Sequence, residues 1–201
     1  MTTKTIGVLA LQGDFAAHCL AVERAGGRAA EVRTAEELRV CDGLVIPGGE
    51  STTMLKLLNI EKLFEPLRRF GQTKPIYGTC AGAILLAKGV TSPAQASLQL
   101  MDIDVERNAY GRQVDSRIVS IENEGTKLEA VFIRAPIIRR VGADVKVLAS
   151  YAGDPVWIED GHHMVTTFHP ELGADNVVHR KFLQLIEQRA QRPATTMRLA
   201  G

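Results

Sequence analysis

The stretch Pro75-Ile-Tyr-Gly-Thr-Cys-Ala-Gly82 sets a strand-like run directly before a cysteine and an apolar helical run directly after it. This order predicts that Cys80 lies on a sharp strand-to-helix turn, where its side chain stands clear of both elements. Gly78 and Gly82 bracket it as G-x-C-x-G, the cysteine analogue of the G-x-S-x-G elbow, in which bulky neighbours would collide with the strand or the helix. Because the positive end of a helix favours the nucleophilic thiolate, the pattern indicates a catalytic Cys80 over a buried structural cysteine.

The residues around this turn alternate between apolar strand-like runs and helical patterns. Lys4 to Leu11 is nearly unbroken apolar sequence, as expected of a parallel strand buried on both faces, and Asp14 to Ala25 follows with helical spacing. This β-α-β-α order predicts an α/β fold with a doubly wound, mainly parallel sheet of the flavodoxin-like kind. Further strands are predicted at 28–33, 43–46 and 74–77, and helices at 35–40, 51–58 (with Ser51 as N-cap), 61–70 and 81–88.

Beyond residue 100 the chain shows strand-like runs with no long helix between them. Consecutive strands without crossover helices predict antiparallel strands appended to the parallel sheet in the C-terminal half. A final amphipathic helix is predicted from Asp175 to Gln191, so we expect one domain over residues 1–192 and a flexible tail over 193–201. The predicted strands lie at 100–106, 114–121, 128–134, 145–150, 155–159 and 162–168.

Composition narrows the class of protein. The chain has 201 residues, of which 45% are hydrophobic, and its formal charge is +1 from 24 Lys and Arg against 23 Asp and Glu. A balanced charge without a basic stripe argues against nucleic acid as a partner, and strand-length apolar runs argue against a membrane. Three cysteines without metal or disulfide spacing fit reduced thiols, so we expect a cytoplasmic protein with no metal site.

A histidine and a carboxylate close to the end of the last predicted strand complete a possible catalytic triad. His169 and Glu171 lie in Phe168-His-Pro-Glu-Leu172, where the histidine could deprotonate a thiol and the carboxylate could orient the imidazole. His162 and His163 compete for the role of base, but we expect them at the surface at the start of a strand. His179 also competes and falls within the last helix.

A glycine-rich turn offers backbone N–H groups to an oxyanion. In Ile46-Pro-Gly-Gly-Glu-Ser-Thr52 a strand runs into two glycines and then a helix N-terminus. We expect Gly48, Gly49 and the N–H of Ala81 to form an oxyanion hole for acyl transfer. An ordinary strand-to-helix turn would give the same spacing, whereas phosphate binding is disfavoured because no P-loop lysine follows.

Two arginines lie at predicted strand ends, in Val105-Glu-Arg-Asn108 and Phe132-Ile-Arg-Ala-Pro136. The guanidinium of Arg107 or Arg134 could clamp a substrate carboxylate in bidentate fashion. Solvated charges at the ends of strands are the alternative explanation.

Taken together, these segments carry a resemblance to a known family. Pro47-Gly-Gly-Glu-Ser-Thr52, Gly78-Thr-Cys-Ala-Gly82 and Phe168-His-Pro-Glu-Leu172 resemble the triad, or class I, glutamine amidotransferases. With Glu106-Arg-Asn-Ala-Tyr-Gly-Arg-Gln113 and Phe132-Ile-Arg-Ala-Pro136 the chain is most similar to the glutaminase subunit of pyridoxal 5′-phosphate synthase. The similarity runs from Ile6 to about Ile186.

The resemblance implies a role for each matching position. Cys80 would be the nucleophile that attacks the amide of L-glutamine, His169 the general base and then acid, and Glu171 the orienting carboxylate. A second set would bind glutamine: Gly49, Glu50, Ser51, Arg107, Ile133 and Arg134.

The resemblance also implies a partner and no cofactor. Ammonia from glutamine would pass to a separate (β/α)8-barrel synthase subunit in a large hetero-oligomer. Gln12, after the first strand, could hold a flipped Gly48–Gly49 peptide that turns hydrolysis on when the partner docks. Two alternatives stay open: an amidotransferase subunit that serves another nitrogen acceptor, and a non-enzymatic flavodoxin-like binding module.

Overall fold

The computed structural model describes residues 3–109 and 116–191. The helices are α1 (Phe15–Arg24), α2 (Ala35–Arg39), α3 (Ser51–Ile60), α4 (Phe64–Thr73), α5 (Ala81–Leu86) and α6 (Val177–Gln191). The strands are β1 (Thr5–Leu9), β2 (Arg28–Val32), β3 (Gly43–Ile46), β4 (Ile76–Thr79), β5 (Ala87–Thr91), β6 (Met101–Glu106), β7 (Ser116–Asn123), β8 (Thr126–Ile133), β9 (Ile137–Val141), β10 (Lys146–Tyr151), β11 (Asp154–Glu159) and β12 (Met164–Thr166).

A mainly parallel sheet forms the centre of the described chain. Its strand order is β10-β11-β12-β4-β3-β1-β2, and the strands from β12 to β2 pair in parallel. The strands β10 and β11 extend it as antiparallel neighbours on the β12 side. The predicted α/β fold with a doubly wound, mainly parallel sheet and appended antiparallel strands is therefore confirmed.

Alternating side chains of the strands divide the core into two layers. In β3, Leu44 and Ile46 pack with Met54 of α3 on one face, whereas Val45 packs with Phe182 of α6 on the other. Successive strand residues point to opposite faces, so a strand between two helical layers must be apolar at every position. This explains the unbroken apolar runs of the sequence.

Two strands of the structure, β5 and β9, were not predicted from the sequence. The helix after Cys80 ends at Leu86 and not at Lys88, and the chain continues directly into β5, which pairs in parallel with β6. The strand β9 pairs antiparallel with β6 and completes a second sheet, of order β5-β6-β9. The strand β12 joins the two parts of the large sheet, because it pairs antiparallel with β11 and in parallel with β4.

The hairpin β7-β8 forms a further antiparallel pair, and the 3₁₀ turn Pro170–Leu172 follows β12. No helix in the described part of the chain is long and apolar enough to cross a membrane. The predicted tail over 193–201 lies outside the described residues. The parallel strands β3, β4 and β12 end side by side, so the loops that follow them meet at one edge of the sheet, where ligands bind in such folds.

Candidate active site

Cys80 occupies a strained turn between β4 and α5. Its φ of 49° lies in the left-handed region, and it is the N-cap residue of α5. The backbone N–H of Cys80 donates to the carbonyl of Thr166 at 2.8 Å, which ties the turn to the neighbouring strand β12. The side chain is buried at 6% exposure. A non-glycine residue held at positive φ by its surroundings is the geometry of a nucleophile elbow.

The two glycines on either side of Cys80 are required by close backbone contacts. A Cβ on Gly78 would lie 2.5 Å from the carbonyl carbon of Gly82. A Cβ on Gly82 would overlap the carbonyl oxygen of Ile46 in β3. Both obstacles are backbone atoms, which cannot rotate away as side chains do. The steric reason predicted for G-x-C-x-G therefore holds in the structure.

His169 and Glu171 form the hydrogen-bonded pair expected from their spacing. His169 Nδ1 lies 2.7 Å from Glu171 Oε1, and the carboxylate is 5% exposed. Burial alone would lower the pKa of His169, but hydrogen bonds to Cys80 and Glu171 and the negative charge of both raise it to about 10. The ring is therefore held between the Cys80 sulfur and the carboxylate in surroundings that favour its protonated form.

The Gly48–Gly49 turn packs against His169. A Cβ on Gly48 would overlap the imidazole of His169, so no larger residue fits there. Gly49 has a φ of 151° and lies against the side-chain amide of Gln12. Gln12 Oε1 accepts a hydrogen bond from the backbone N–H of Glu50 at 3.1 Å. The amide of Gln12 thus fixes the peptide that follows the second glycine.

Glu50, and not the predicted Ser51, caps α3. Its carboxylate accepts from the N–H groups of Thr52 at 3.0 Å and Thr53 at 2.6 Å. These bonds outweigh the effect of burial and lower the pKa of Glu50. A longer carboxylate can reach two free N–H groups that the Ser51 hydroxyl, inside the first turn, cannot. The hydroxyl of Ser51 donates instead to Gln95 at 3.1 Å.

Arg107 is buried against the capped end of α3. Its exposure is 9%, and its Nη2 lies 2.8 Å from Thr52 Oγ1 and 3.4 Å from Glu50 Oε1. The alternative of a solvated strand-end charge is therefore wrong for Arg107. Arg134 is exposed, with a φ of 44°, and reaches the same site from its rim.

A cavity of about 190 Å³ joins these groups. It brings together most of the residues selected from the sequence: Gly49, Glu50, Ser51, Cys80, Arg107, Ile133, Arg134 and His169. Ile84, Asn108 and Pro136 also line it and were not selected. Gly48, Ala81 and Glu171 adjoin lining residues without lining it themselves. The Tyr110–Gln113 part of the arginine motif lies outside the described residues.

The competing histidines do not reach this cavity. His163 is 2% exposed and accepts from the N–H of Ile76, so the expectation of a surface location is wrong for it. His162 is half-buried, and its ring contacts the carbonyl of Gly71. Both residues directly precede β12, which is a buried strand of the large sheet. Within residues 3–109 and 116–191, no three His, Cys, Asp or Glu side chains are grouped to hold a metal ion.

One buried histidine, which lies beside Glu171, was not selected from the sequence. His18 is fully buried in α1, and its Nε2 lies 3.3 Å from Glu171 Oε2. Its other ring nitrogen lies 3.0 Å from His179 Nε2. The helical spacing could have indicated that His18 is buried, because it lies one turn before Val22 on the buried face of α1. Nothing in the local pattern indicates its contact with Glu171.

Comparisons with known proteins agree with this geometry. The model of the SNO glutamine amidotransferase family matches residues 8–188. The chain is 61% identical over 188 residues to pyridoxal 5′-phosphate synthase subunit PdxT of Solibacter usitatus, covering 90% of this chain and 98% of that protein. The protein of the same name from Koribacter versatilis is 54% identical, covering 90% and 95%.

A solved structure described as a glutamine amidotransferase superposes with a TM-score of 0.85 at 45% identity, covering 90% of this chain and 98% of that one. The resemblance inferred from the motifs is thereby confirmed at the level of sequence and of fold. This chain is a member of the SNO glutamine amidotransferase family.

Proposed function

We propose that this chain hydrolyses L-glutamine to L-glutamate and ammonia through a thioester on Cys80, and that the ammonia serves pyridoxal 5′-phosphate synthesis. The observation that carries the proposal is the arrangement of Cys80, His169 and Glu171 beside a cavity lined by charged groups. The names of the relatives supply the destination of the ammonia.

In the first half-reaction the Cys80 thiolate attacks the side-chain amide carbon of glutamine. The oxyanion that forms would accept hydrogen bonds from the N–H groups of Ala81 and of the Gly48–Gly49 turn. The intermediate collapses with cleavage of the C–N bond, and the His169 imidazolium gives its proton to the departing nitrogen as ammonia leaves. A γ-glutamyl thioester and a neutral imidazole remain.

In the second half-reaction the neutral His169 accepts a proton from a water molecule that attacks the thioester carbon. The C–S bond breaks, glutamate leaves, and the thiolate–imidazolium pair is restored. Glu171 holds the ring through its 2.7 Å contact with Nδ1, which leaves Nε2 free to exchange protons with substrate and water.

The charged groups of the cavity suit a free amino acid. Arg107 and Arg134 are the guanidinium groups available for the α-carboxylate of glutamine. Glu50, whose lowered pKa keeps it ionised, is the acidic group that lines the cavity and could receive the α-ammonium. Gly49, Ser51 and Ile133 would complete the wall of the glutamine site.

The synthase subunit is proposed as both acceptor and activator. The partner would be a (β/α)8-barrel subunit within a large hetero-oligomer, in the cytoplasm, where the free thiols of Cys19 and Cys41 would stay reduced. The hydrogen bond from Glu50 N–H to Gln12 supports a switch at the preceding Gly48–Gly49 peptide. Glycine accepts φ values of either sign, so a flip of that peptide costs little.

The test measures glutamate and ammonia release by the purified chain with and without a cognate synthase subunit. The partner should raise kcat on the order of 10²–10³-fold, the effect of one oxyanion donor. Cys80→Ala should abolish hydrolysis, His169→Asn should be nearly as damaging and Glu171→Gln less so, whereas the matched control Cys19→Ala should keep activity.

Three results would contradict parts of this proposal. Hydrolysis that persists in Cys80→Ala would show that Cys80 is not the nucleophile. Full activity of the chain without the partner would refute the proposed activation by the synthase subunit. Partner activation of Gln12→Ala equal to that of wild type would remove Gln12 from the switch.

A further inference from the structure

A line of imidazoles continues from the catalytic pair into the core. Behind Glu171, the ring of His18 lies with Nε2 3.3 Å from Oε2, and its Nδ1 lies 3.0 Å from Nε2 of His179 in α6. Both atoms are buried and neither makes a hydrogen bond of regular geometry among the described residues, so their 3.3 Å approach is a close polar contact. Glu171 Oε1 is therefore hydrogen-bonded to His169, whereas Oε2 faces His18 Nε2 without another partner among the described residues.

The surroundings of this line keep it neutral. His18 is fully buried and His179 is 1% exposed, and Tyr77 of β4 packs edge-on against both rings. Burial, His179 and His169 lower the pKa of His18, and burial with the Arg24 charge lowers that of His179 to about 4. Both histidines are single-proton donors at neutral pH.

Because each neutral ring carries one N–H proton, the contacts of His18 and His179 determine which nitrogen donates. Next to a carboxylate, a neutral His18 must carry its proton on Nε2, because a bare nitrogen there would place its lone pair against those of Oε2. Its Nδ1 is then an acceptor, so His179 must donate from Nε2. His179 Nδ1 is left unprotonated, and this buried atom has no hydrogen-bond partner in the described part of the chain.

From this arrangement we propose that His18 is a positioning residue for the triad, and that His179, His18, Glu171 and His169 form one directional hydrogen-bonded relay. His179 donates to His18, and a small rotation of the ring or the carboxylate from their 3.3 Å contact lets His18 donate to Glu171 Oε2. Glu171 Oε1 accepts from His169 Nδ1–H. No proton moves along the relay during the reaction.

The relay explains how the buried carboxylate of Glu171 can orient the ring of His169. Glu171 sits in a 3₁₀ turn two residues from His169, where bond rotation could turn its carboxylate away from Nδ1. The donor on Oε2, held by α1 and backed by α6, restricts that rotation. Removing such an outer hydrogen-bond partner costs about 10–100-fold where it has been measured for metal-bound histidines.

The first test reads the tautomers directly and needs no activity. In ¹⁵N NMR spectra of the wild-type chain at pH 7.5, we expect His18 and His179 to be protonated on Nε2 and unprotonated on Nδ1. Protonation of His18 on Nδ1, or a doubly protonated ring at either position, would overturn the proposal even if the protein is a glutaminase.

The second test rests on the proposed glutaminase activity and compares two replacements. His18→Leu removes the donor and should lower kcat about tenfold or more with KM within about twofold, since no glutamine-binding group is touched. His18→Gln keeps an N–H at the position of Nε2 and should recover most of kcat. The matched control is His163→Gln, a buried histidine outside the relay, which should keep kcat.

These outcomes separate positioning from packing. If His18→Gln is as slow as His18→Leu, or if His18→Leu is as fast as wild type, the donor role is refuted. A similar loss of kcat in His163→Gln would attribute the effect to general destabilisation and refute it as well. If neither His18 variant folds, the tautomers of the wild-type protein decide.

Discussion

Replacing His163 by glutamine is expected to remove one defined contribution to the acid sensitivity of this fold. The imidazole is 2% exposed and accepts the N–H of Ile76 through Nδ1. Burial first, and then the charges of His162 and Arg189, lower the pKa of His163 from 6.5 to about 3. The unfolded chain therefore binds a proton between pH 6.5 and 3 that the folded chain does not, so stability falls as the pH falls through this range.

The size of the effect follows from the two pKa values. A pH of 5 is about 1.5 units below the pKa of the histidine in the unfolded chain, whereas the histidine of the folded chain is still neutral. At 1.36 kcal/mol per unit, this difference lowers the free energy of unfolding by about 2 kcal/mol. At pH 7 the cost is close to zero. Against a typical unfolding free energy of about 5–15 kcal/mol, this one group is a substantial fraction.

The assay is urea unfolding followed by circular dichroism, between pH 7 and pH 5, for wild type and His163→Gln. The glutamine side chain can accept the same N–H but does not titrate. We expect the loss of unfolding free energy from pH 7 to 5 to be about 2 kcal/mol smaller in the variant than in wild type. Each protein is compared with its own value at pH 7, so a general loss of stability cancels. Equal losses in both proteins would refute the assignment of a neutral buried His163.

Three further predictions concern the site. Arg107→Ala should raise KM for glutamine, by an amount equivalent to about 2–5 kcal/mol, more than it lowers kcat, and unchanged steady-state kinetics would remove this arginine from the binding site. Gly82→Ala should destabilise the fold by about 1–3 kcal/mol or more, because its Cβ would meet the Ile46 carbonyl; a melting temperature equal to that of wild type would contradict the contact. His169 should titrate near pH 10 by NMR and at a clearly lower pH in Glu171→Gln; a wild-type midpoint near 6.5 would contradict the paired imidazolium.

The parallel sheet and the cysteine turn could be predicted because each leaves a local pattern in the sequence. Strands covered on both faces must be apolar throughout, and the G-x-C-x-G turn is required by backbone contacts between neighbouring elements. The strand β5 was missed because Ala87 follows an apolar helix without any turn residue. Its Gly89 lies against the Asp104 side chain, a contact made only after β6 has paired with it.

Long-range contacts account for the rest of what the sequence did not reveal. Glu50 caps α3 in place of Ser51 because its carboxylate reaches two N–H groups and is supported by Arg107, 57 positions later. His18 contacts His179 across 161 positions, a contact made only when α1 and α6 pack on the same face of the sheet, and it also approaches Glu171. A single sequence carries the residue types of such contacts but not their pairing.

The location of the acyl intermediate is the most direct test of glutamine hydrolysis by this chain. The chain, activated by a synthase subunit, is mixed with glutamine, quenched in acid within the first turnover, digested and analysed by mass spectrometry. A γ-glutamyl group should be found on the peptide that contains Cys80 and should be missing from the same peptide of Cys80→Ala. A glutamyl group on Cys19 or Cys41, or ammonia release from Cys80→Ala at the wild-type rate, would contradict the mechanism.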